Sequence, residues 1–340
     1  MISTYLNHLK ITQPLWIILL SSLGFLFISK KSILFIKWIF NTFSRKPKDL
    51  KSYGSWALVT GSTDGIGKAF AFKLAEMGLN LVLVSRNKAK LEQVSTEILV
   101  KCPKIEIRLF ELDFSGDVVS GVQRMKEEIK GLEIGVLINN VGVTYPGAMY
   151  FHEVDEKIWM NLVRVNVEGT SYVTKAVLNG MVQRKKGAIV NIGSGASIVV
   201  PSHPLYAIYA ATKAYVDQLS RSLYVEYKGS GIDVQCQVPL YVCTKMASKV
   251  AFVEKDKSSV FIPSAEKYVE AGVRWIGHDE ARCTPYWAHS LQWFFASSML
   301  NDALLDAWRL SIGIKRRKQL ININIASCNA TQTLLYLPSN

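Results

Sequence analysis

Trp56-Ala-Leu-Val-Thr60, running into Gly61-Ser-Thr-Asp-Gly65-Ile-Gly67, decides the fold: a short apolar, β-branched run stops at three glycines spaced G-x-x-x-G-x-G. A run of that length, bounded by glycine, suits a buried strand better than a helix. Where a strand turns into a helix, glycine lets backbone N–H groups approach a pyrophosphate, and the helix dipole favours its negative charge. The spacing alone is a weak signal, because it departs from G-x-G-x-x-G and a glycine turn can be purely structural.

The surrounding chain supplies the context. Apolar, β-branched runs recur at Trp56 to Thr60, Leu79 to Ser85, Ile105 to Leu112, Val136 to Asn139, Ala188 to Ile192 and Ile232 to Val238, with helix-length amphipathic segments between them. Such alternation predicts an α/β fold: a doubly wound parallel sheet with helices on both faces. We divide the chain into an N-terminal anchor and basic flank (1–50), an α/β domain (51–280) and a C-terminal membrane-associated extension and tail (281–340). No internal repeat or low-complexity tract interrupts it.

The 340 residues are 49% hydrophobic, which excludes a disordered chain. The net charge of +13 is concentrated: residues 1–52 carry +7 and Lys315 to Lys318 another +4. Both patches flank apolar stretches, so the excess reads as membrane-surface charge, and no nucleic-acid partner is expected. The five cysteines and five histidines show no metal-ligand spacing, so no metal is expected and reduced thilos of a cytosol-facing domain are the natural reading of the cysteines.

Tyr209-Ala-Ala-Thr-Lys213 follows Ser194 by fifteen residues. On a helix, Tyr209 and Lys213 share one face, and a cation beside a phenol favours phenolate and lowers its pKa. The pair is therefore expected to hand a proton to a carbonyl oxygen in a nicotinamide-dependent reductase. Cofactor choice is expected at the end of the second strand, where an acidic residue would hold the ribose of NAD. The sequence there is Ser85-Arg86-Asn87, and a guanidinium without a carboxylate favours the 2′-phosphate of NADPH. Asp113, ending the third strand, is a candidate acceptor for the adenine amino group, or simply a helix cap.

Thr60-Gly-x-x-x-Gly-x-Gly67, Asn139-Asn-Val-Gly142, Asn166, Ser194 and Tyr209-x-x-x-Lys213, in that order, resemble the short-chain dehydrogenase/reductase family. Val165-Asn-Val-Glu-Gly-Thr170, Asn191-Ile-Gly-Ser-Gly195 and Gln237-Val-Pro-Leu-Tyr241 closely resemble its microsomal branch of very-long-chain 3-oxoacyl-CoA reductases. The resemblance implies a Rossmann-type domain in which Tyr209 protonates the 3-keto oxygen and Lys213 lowers the tyrosine pKa and holds the nicotinamide ribose. It implies that Ser194 hydrogen-bonds the carbonyl and that Asn166 positions a water returning the proton to Lys213. Gly61, Ser62, Thr63, Gly65, Ile66 and Gly67, with Arg86, Asp113, Asn139, Gly142 and Thr244, would join Tyr209 and Lys213 in holding the cofactor. Many members place the serine about thirteen residues before the tyrosine, so Ser197 rivals Ser194. The implied activity is NADPH-dependent reduction of very-long-chain 3-oxoacyl-CoA to 3-hydroxyacyl-CoA in fatty acid elongation, alongside other elongase enzymes. The alternatives are a 17β-hydroxysteroid dehydrogenase-like ketosteroid reductase and a catalytically silent scaffold.

Ile11 to Ser29 is uncharged for nineteen residues, close to the roughly 20 that span a bilayer. The run ends in Ser29-Lys30-Lys31 without a cleavage site, and basic residues crowd its C-terminal side. An uncleaved anchor in the endoplasmic reticulum membrane, with the catalytic domain facing the cytosol, is expected. Tyr241 to Pro263 mixes apolar and lysine residues, as either an acyl-CoA cover or a solvated loop. Trp287 to Ile314 is apolar, but Asp302, Asp306 and Arg309 make a second span costly, so an interfacial or hairpin helix is expected. Related reductases tend to end in a dilysine-type retrieval signal, which Pro338-Ser-Asn340 is not, and the sequon at Asn329 is expected to be unused.

Overall fold

A computed structural model describes residues 14–251 and 257–335, which form two compact units, one up to Lys46 and one from Pro47 onward. The first is a helix, α1 (Leu15–Phe43), with no buried residue. Its 29 residues extend about 44 Å at 1.5 Å per residue, more than a hydrocarbon core needs. The apolar run to Ser29 and the later stretch from Ile33 merge into this one helix, because lysine is a good helix former and neither proline nor glycine intervenes between Gly24 and Pro47. Among the described residues α1 is the one helix long and apolar enough to cross a membrane, and it is a candidate anchor.

The second unit is built on a parallel sheet: β1 (Trp56–Thr60), β2 (Asn80–Ser85), β3 (Ile107–Glu111), β4 (Ile134–Asn139), β5 (Gly187–Ile192), β6 (Ile232–Gln237) and β7 (Arg282–Cys283). Their order is β3-β2-β1-β4-β5-β6-β7. Central strands β1, β4 and β5 are buried at every position, which is why they read as unbroken apolar runs, whereas β3 is half exposed. β7 was not foreseen, because two residues carry no alternation.

Helices cover both faces. On one, α2 (Gly65–Glu76), α3 (Lys88–Lys101) and α10 (Ala265–Val273) pack Phe70, Leu74, Leu91 and Tyr268 against the sheet. On the other lie α4 (Val118–Glu128) and α6 (Gly169–Arg184), with Val122, Met125, Val173 and Met181 in the core. Burying such side chains stabilises the domain by about 1.5–3 kcal/mol each. Five further helices complete the unit: α5 (Glu156–Val163), α7 (Gly195–Ile198), α8 (Ala207–Tyr227), α9 (Lys245–Ala251) and α11 (Trp287–Met299), and beyond them runs α12 (Asp302–Leu335). This helix runs on past Gln319 to Leu335, with no proline in that stretch to stop it.

Strand order reverses between β1 and β4, so the chain leaves them in opposite directions and opens a crevice beyond their carboxyl ends, where ligands of open α/β sheets bind.

Candidate active site

The crevice is one cleft of about 970 Å³ running from the turn after β1 to α12. Gly61 has φ of +64°, a left-handed conformation costly for residues with a Cβ, and it starts the turn into α2. Asn140, the first residue after β4, clamps this turn: its Nδ2 donates to the carbonyls of Thr60 and Gly61, both at 3.1 Å. A Cβ on Gly67 would fall 2.2 Å from the Gly61 carbonyl oxygen and 2.3 Å from Asn140 Nδ2, so glycine there is a packing requirement. Gly61, Thr63, Gly65 and Ile66 line the cleft. Three expected cofactor residues do not, Gly67 being one of them. Ser62 is fully buried with its hydroxyl on the Val84 carbonyl, and Asn139 turns inward to donate to Thr174 Oγ1 (2.8 Å) and Asn191 Oδ1 (2.7 Å). Side chains alternate across a strand, so with Asn139 facing the core its neighbour reaches the turn. Asn140 is the residue that sequence reasoning missed, although it stands in the quoted Asn-Asn pair.

Ser194 caps the short helix α7 by accepting from Ala196 N–H at 3.2 Å, and it lines the cleft with Tyr209 and Lys213 of α8. Ser197 donates to the Ser194 carbonyl at 3.2 Å and lies outside the cleft lining, which leaves Ser194 as the serine beside the phenol. Burial pushes the Tyr209 phenol above its usual value, only partly offset by the neighbouring Ser194 hydroxyl. This corrects the expected acidification by Lys213. The Lys213 ammonium donates to the Ile192 carbonyl at 2.8 Å, and burial lowers its own pKa to about 8.

Asn166 sits in a π turn (Arg164–Glu168) between α5 and α6, an irregularity often found at functional sites. Its Oδ1 accepts from Val143 N–H at 2.8 Å, and its Nδ2 donates to the Val143 carbonyl (2.9 Å) and Thr212 Oγ1 (3.0 Å). With both amide protons used, the side chain bridges the β4 loop to α8, and the expected water-positioning role falls to its Oδ1 and main-chain carbonyl, which keep acceptor capacity. A Cβ on Gly142 would lie 3.3 Å from Asn166 Oδ1 and 3.4 Å from Lys213 Nζ, which locates Gly142 over both.

At the other end of the cleft, Ser85 ends β2 and Arg86 follows it, and the residues next in sequence, Asn87 and Lys88, bring no carboxylate. Thr63 and Ser85 share a hydroxyl hydrogen bond at 2.9 Å. Burial raises the Asp113 pKa, but hydrogen bonds from Ser115 N–H and hydroxyl, with the Arg86 charge, outweigh it and hold the carboxyl below its ordinary value. Thr244 lies over Gly65. The next residue, Lys245, pairs with Asp64 at 2.7 Å, neutralising the carboxylate that caps α2. Phe252, Val253 and Lys255 of the expected acyl-CoA cover lie outside the described residues.

The far wall comes from α11 and α12, which contribute Phe295, Ala296, Leu304, Leu305 and Trp308, together with Arg309 and Arg316. Three contacts seat α12 on the loop after β5: Gly313 packs on Leu205, Asp306 accepts from the Ser202 hydroxyl, and Arg309 donates to His203. Two of the charges that make α12 a poor second span, Asp306 and Arg309, therefore face the catalytic unit. Tyr241, His203 and these two arginines were missed as site residues, because pairing α12 with a loop about 100 residues earlier has no local signal.

The short chain dehydrogenase family model matches residues 55–254. The chain is 57% identical over 309 residues to a very-long-chain 3-oxoacyl-CoA reductase-like protein of Arabidopsis thaliana, covering 90% of this chain and 96% of that one. It is 40% identical over 248 residues to the human very-long-chain 3-oxoacyl-CoA reductase (72% and 76% covered) and 43% identical over 254 residues to a human inactive hydroxysteroid dehydrogenase-like protein 1 (74% of each). Among solved structures, a short-chain dehydrogenase from Sphingobium yanoikuyae in complex with NADPH superposes with a TM-score of 0.60 at 25% identity, covering 78% of this chain and 95% of that one. On the glycine turn, the Ser-Tyr-Lys cleft and these matches, the chain belongs to the short-chain dehydrogenase family, whose members are oxidoreductases.

Proposed function

We propose that this chain is an endoplasmic reticulum-anchored, NADPH-dependent reductase that converts very-long-chain 3-oxoacyl-CoA to 3-hydroxyacyl-CoA in fatty acid elongation. The observation that carries the reading is continuity: one cleft joins Ser194, Tyr209 and Lys213 to an apolar wall whose rim, Phe295, Leu300, Leu304 and Trp308, is exposed. A ketone carrying a long alkyl chain fits that combination. Relatives named very-long-chain 3-oxoacyl-CoA reductase support it. In the division of residues 1–50, 51–280 and 281–340, the last segment is a substrate wall as much as a membrane-associated one.

The residues present fit a nicotinamide dinucleotide. The glycine turn, locked by Asn140, would take the pyrophosphate, Asp113 the adenine end, and Arg86 with Thr63 a 2′-phosphate. When bound, the nicotinamide supplies the hydride. The chain's own residues do the rest. Tyr209, kept protonated at neutral pH by burial, donates its phenolic proton to the ketone oxygen as the carbonyl carbon is reduced. Ser194 hydrogen-bonds the same oxygen while charge develops on it. Lys213 loses and regains a proton near pH 8, so it is suited to reprotonating the tyrosinate on the same helix face.

The retained Ser-Tyr-Lys set favours this reading over the silent scaffold. The test is turnover by membranes carrying the chain. Long-chain 3-oxoacyl-CoA with NADPH should be reduced much faster than with NADH, and faster than a 17-ketosteroid; preference for the steroid would replace this substrate by the other.

A further inference from the structure

Tyr241 stands just beyond β6 in the wall of the cleft that holds Tyr209. Arg316 Nη1 donates to its hydroxyl at 2.8 Å, and the guanidinium lies over its ring at 5.2 Å from the centroid. A phenol that accepts from arginine keeps its own proton for another acceptor. Arg309 flanks the same group. It is 7% exposed, its Nη2 lies 2.7 Å from His203 Nε2, and its Nε has no hydrogen-bond partner. His203 carries no compensating charge of either sign, since burial and the neighbouring arginines lower its pKa to about 3. Among the described residues, no carboxylate forms an ion pair with Arg309 or Arg316. Guanidinium groups held in a cleft without a counter-charge are costly, and such arrangements concentrate at binding sites.

The two phenols are tuned in opposite directions. Burial raises Tyr209, whereas at Tyr241 the two arginines outweigh burial and bring the phenol below its ordinary value, making it the stronger hydrogen-bond donor. They are close enough for Tyr241 to bear on the ionisation of Tyr209. A ligand that satisfies both carries two carbonyl oxygens a short, fixed distance apart, as in a 3-oxoacyl group, where one methylene separates C1 from C3.

We propose that Tyr241, oriented by Arg316, is a specificity-determining residue that donates a hydrogen bond to the C1 carbonyl oxygen of the substrate, so that the cleft selects 3-oxoacyl groups over isolated ketones. The proposal rests on the reductase reading above. The C1 oxygen can belong to a thioester or to a free carboxylate.

The test uses the full chain in detergent, as wild type, Tyr241→Phe and Arg316→Met. Initial rates are compared for a palmitoyl-length 3-oxoacyl-CoA, the matching free 3-oxo acid, and a ketone of the same length with no second carbonyl. Tyr241→Phe should lower kcat/KM for a 3-oxoacyl substrate by about 10–100-fold, mainly through KM, and change the simple ketone by less than about threefold. Arg316→Met should act on the same substrate alone, and it provides the readout if the phenylalanine variant misfolds. A loss confined to the thioester identifies the C1 oxygen as the thioester carbonyl, and a loss confined to the acid as a carboxylate. Equal losses on the ketone and the 3-oxoacyl substrates would overturn the role of Tyr241. Wild-type protein that reduces the ketone but neither 3-oxoacyl substrate would instead overturn the reductase reading on which the role depends.

Discussion

Replacing Lys213 with methionine should make the protein more stable while disabling it. Lys213 is 6% exposed, and burial lowers its pKa from 10.5 to about 8. Each pH unit is worth about 1.4 kcal/mol, so holding the charge at neutral pH costs on the order of 3 kcal/mol. The Lys213 bond to the Ile192 carbonyl returns part of this, and leaving that carbonyl unpaired costs about 1–3 kcal/mol. Methionine has similar length and no charge, so the net expectation at pH 7 is a gain of roughly 1 kcal/mol. The sign with pH follows from proton binding. The unfolded chain holds this proton up to a higher pH than the folded one, so the charge penalty is fully present below pH 8 and relaxes as pH rises from about 8 to 10.5. Thermal melts of the ligand-free proteins across that window are the assay. The wild type should gain on the variant as pH rises, so that the variant's advantage shrinks or reverses. A variant less stable than wild type at pH 7, with a parallel pH profile, would refute the reasoning.

Three other outcomes follow from the geometry. Gly67→Ala would drive its Cβ to 2.2 Å from the Gly61 carbonyl oxygen; calorimetry should show cofactor affinity lost, with a stability cost of about 1–3 kcal/mol. Arg86→Glu removes the guanidinium and adds the carboxylate that suits a ribose 2′-hydroxyl, so the NADPH-to-NADH ratio of kcat/KM should fall at least about tenfold. Deleting residues 1–46 removes the unit containing α1; fractionation should then show the chain leaving high-salt-washed membranes.

Most of the sheet was legible because its strands are buried on both faces. β1 was read to the residue, from Trp56 to Thr60. β7 and the union of two apolar stretches in α1 were not, the first for lack of length and the second because lysines look like breaks in hydropathy yet favour helix. At the site, Tyr209, Lys213 and Ser194 come together as their spacing and helix geometry suggested. Which way neighbouring residues face was harder to read, as with Asn139 and Asn140, because that depends on the pleat at the last residue of β4. The Tyr209 pKa was misjudged because one helical turn from a lysine says nothing about burial, which dominates both groups. Tyr241, Arg309 and Arg316 meet only when α12 folds back on the loop after β5, a long-range contact that no window of sequence contains.

The most direct measurement is NADPH oxidation by the purified full chain with a long-chain 3-oxoacyl-CoA, for wild type and Tyr209→Phe in parallel, with cofactor binding followed by fluorescence. The account predicts turnover by wild type and a loss of at least about 100-fold in the variant with cofactor affinity retained. Undiminished turnover by Tyr209→Phe, or a wild type that binds NADPH and reduces no ketone, would contradict it.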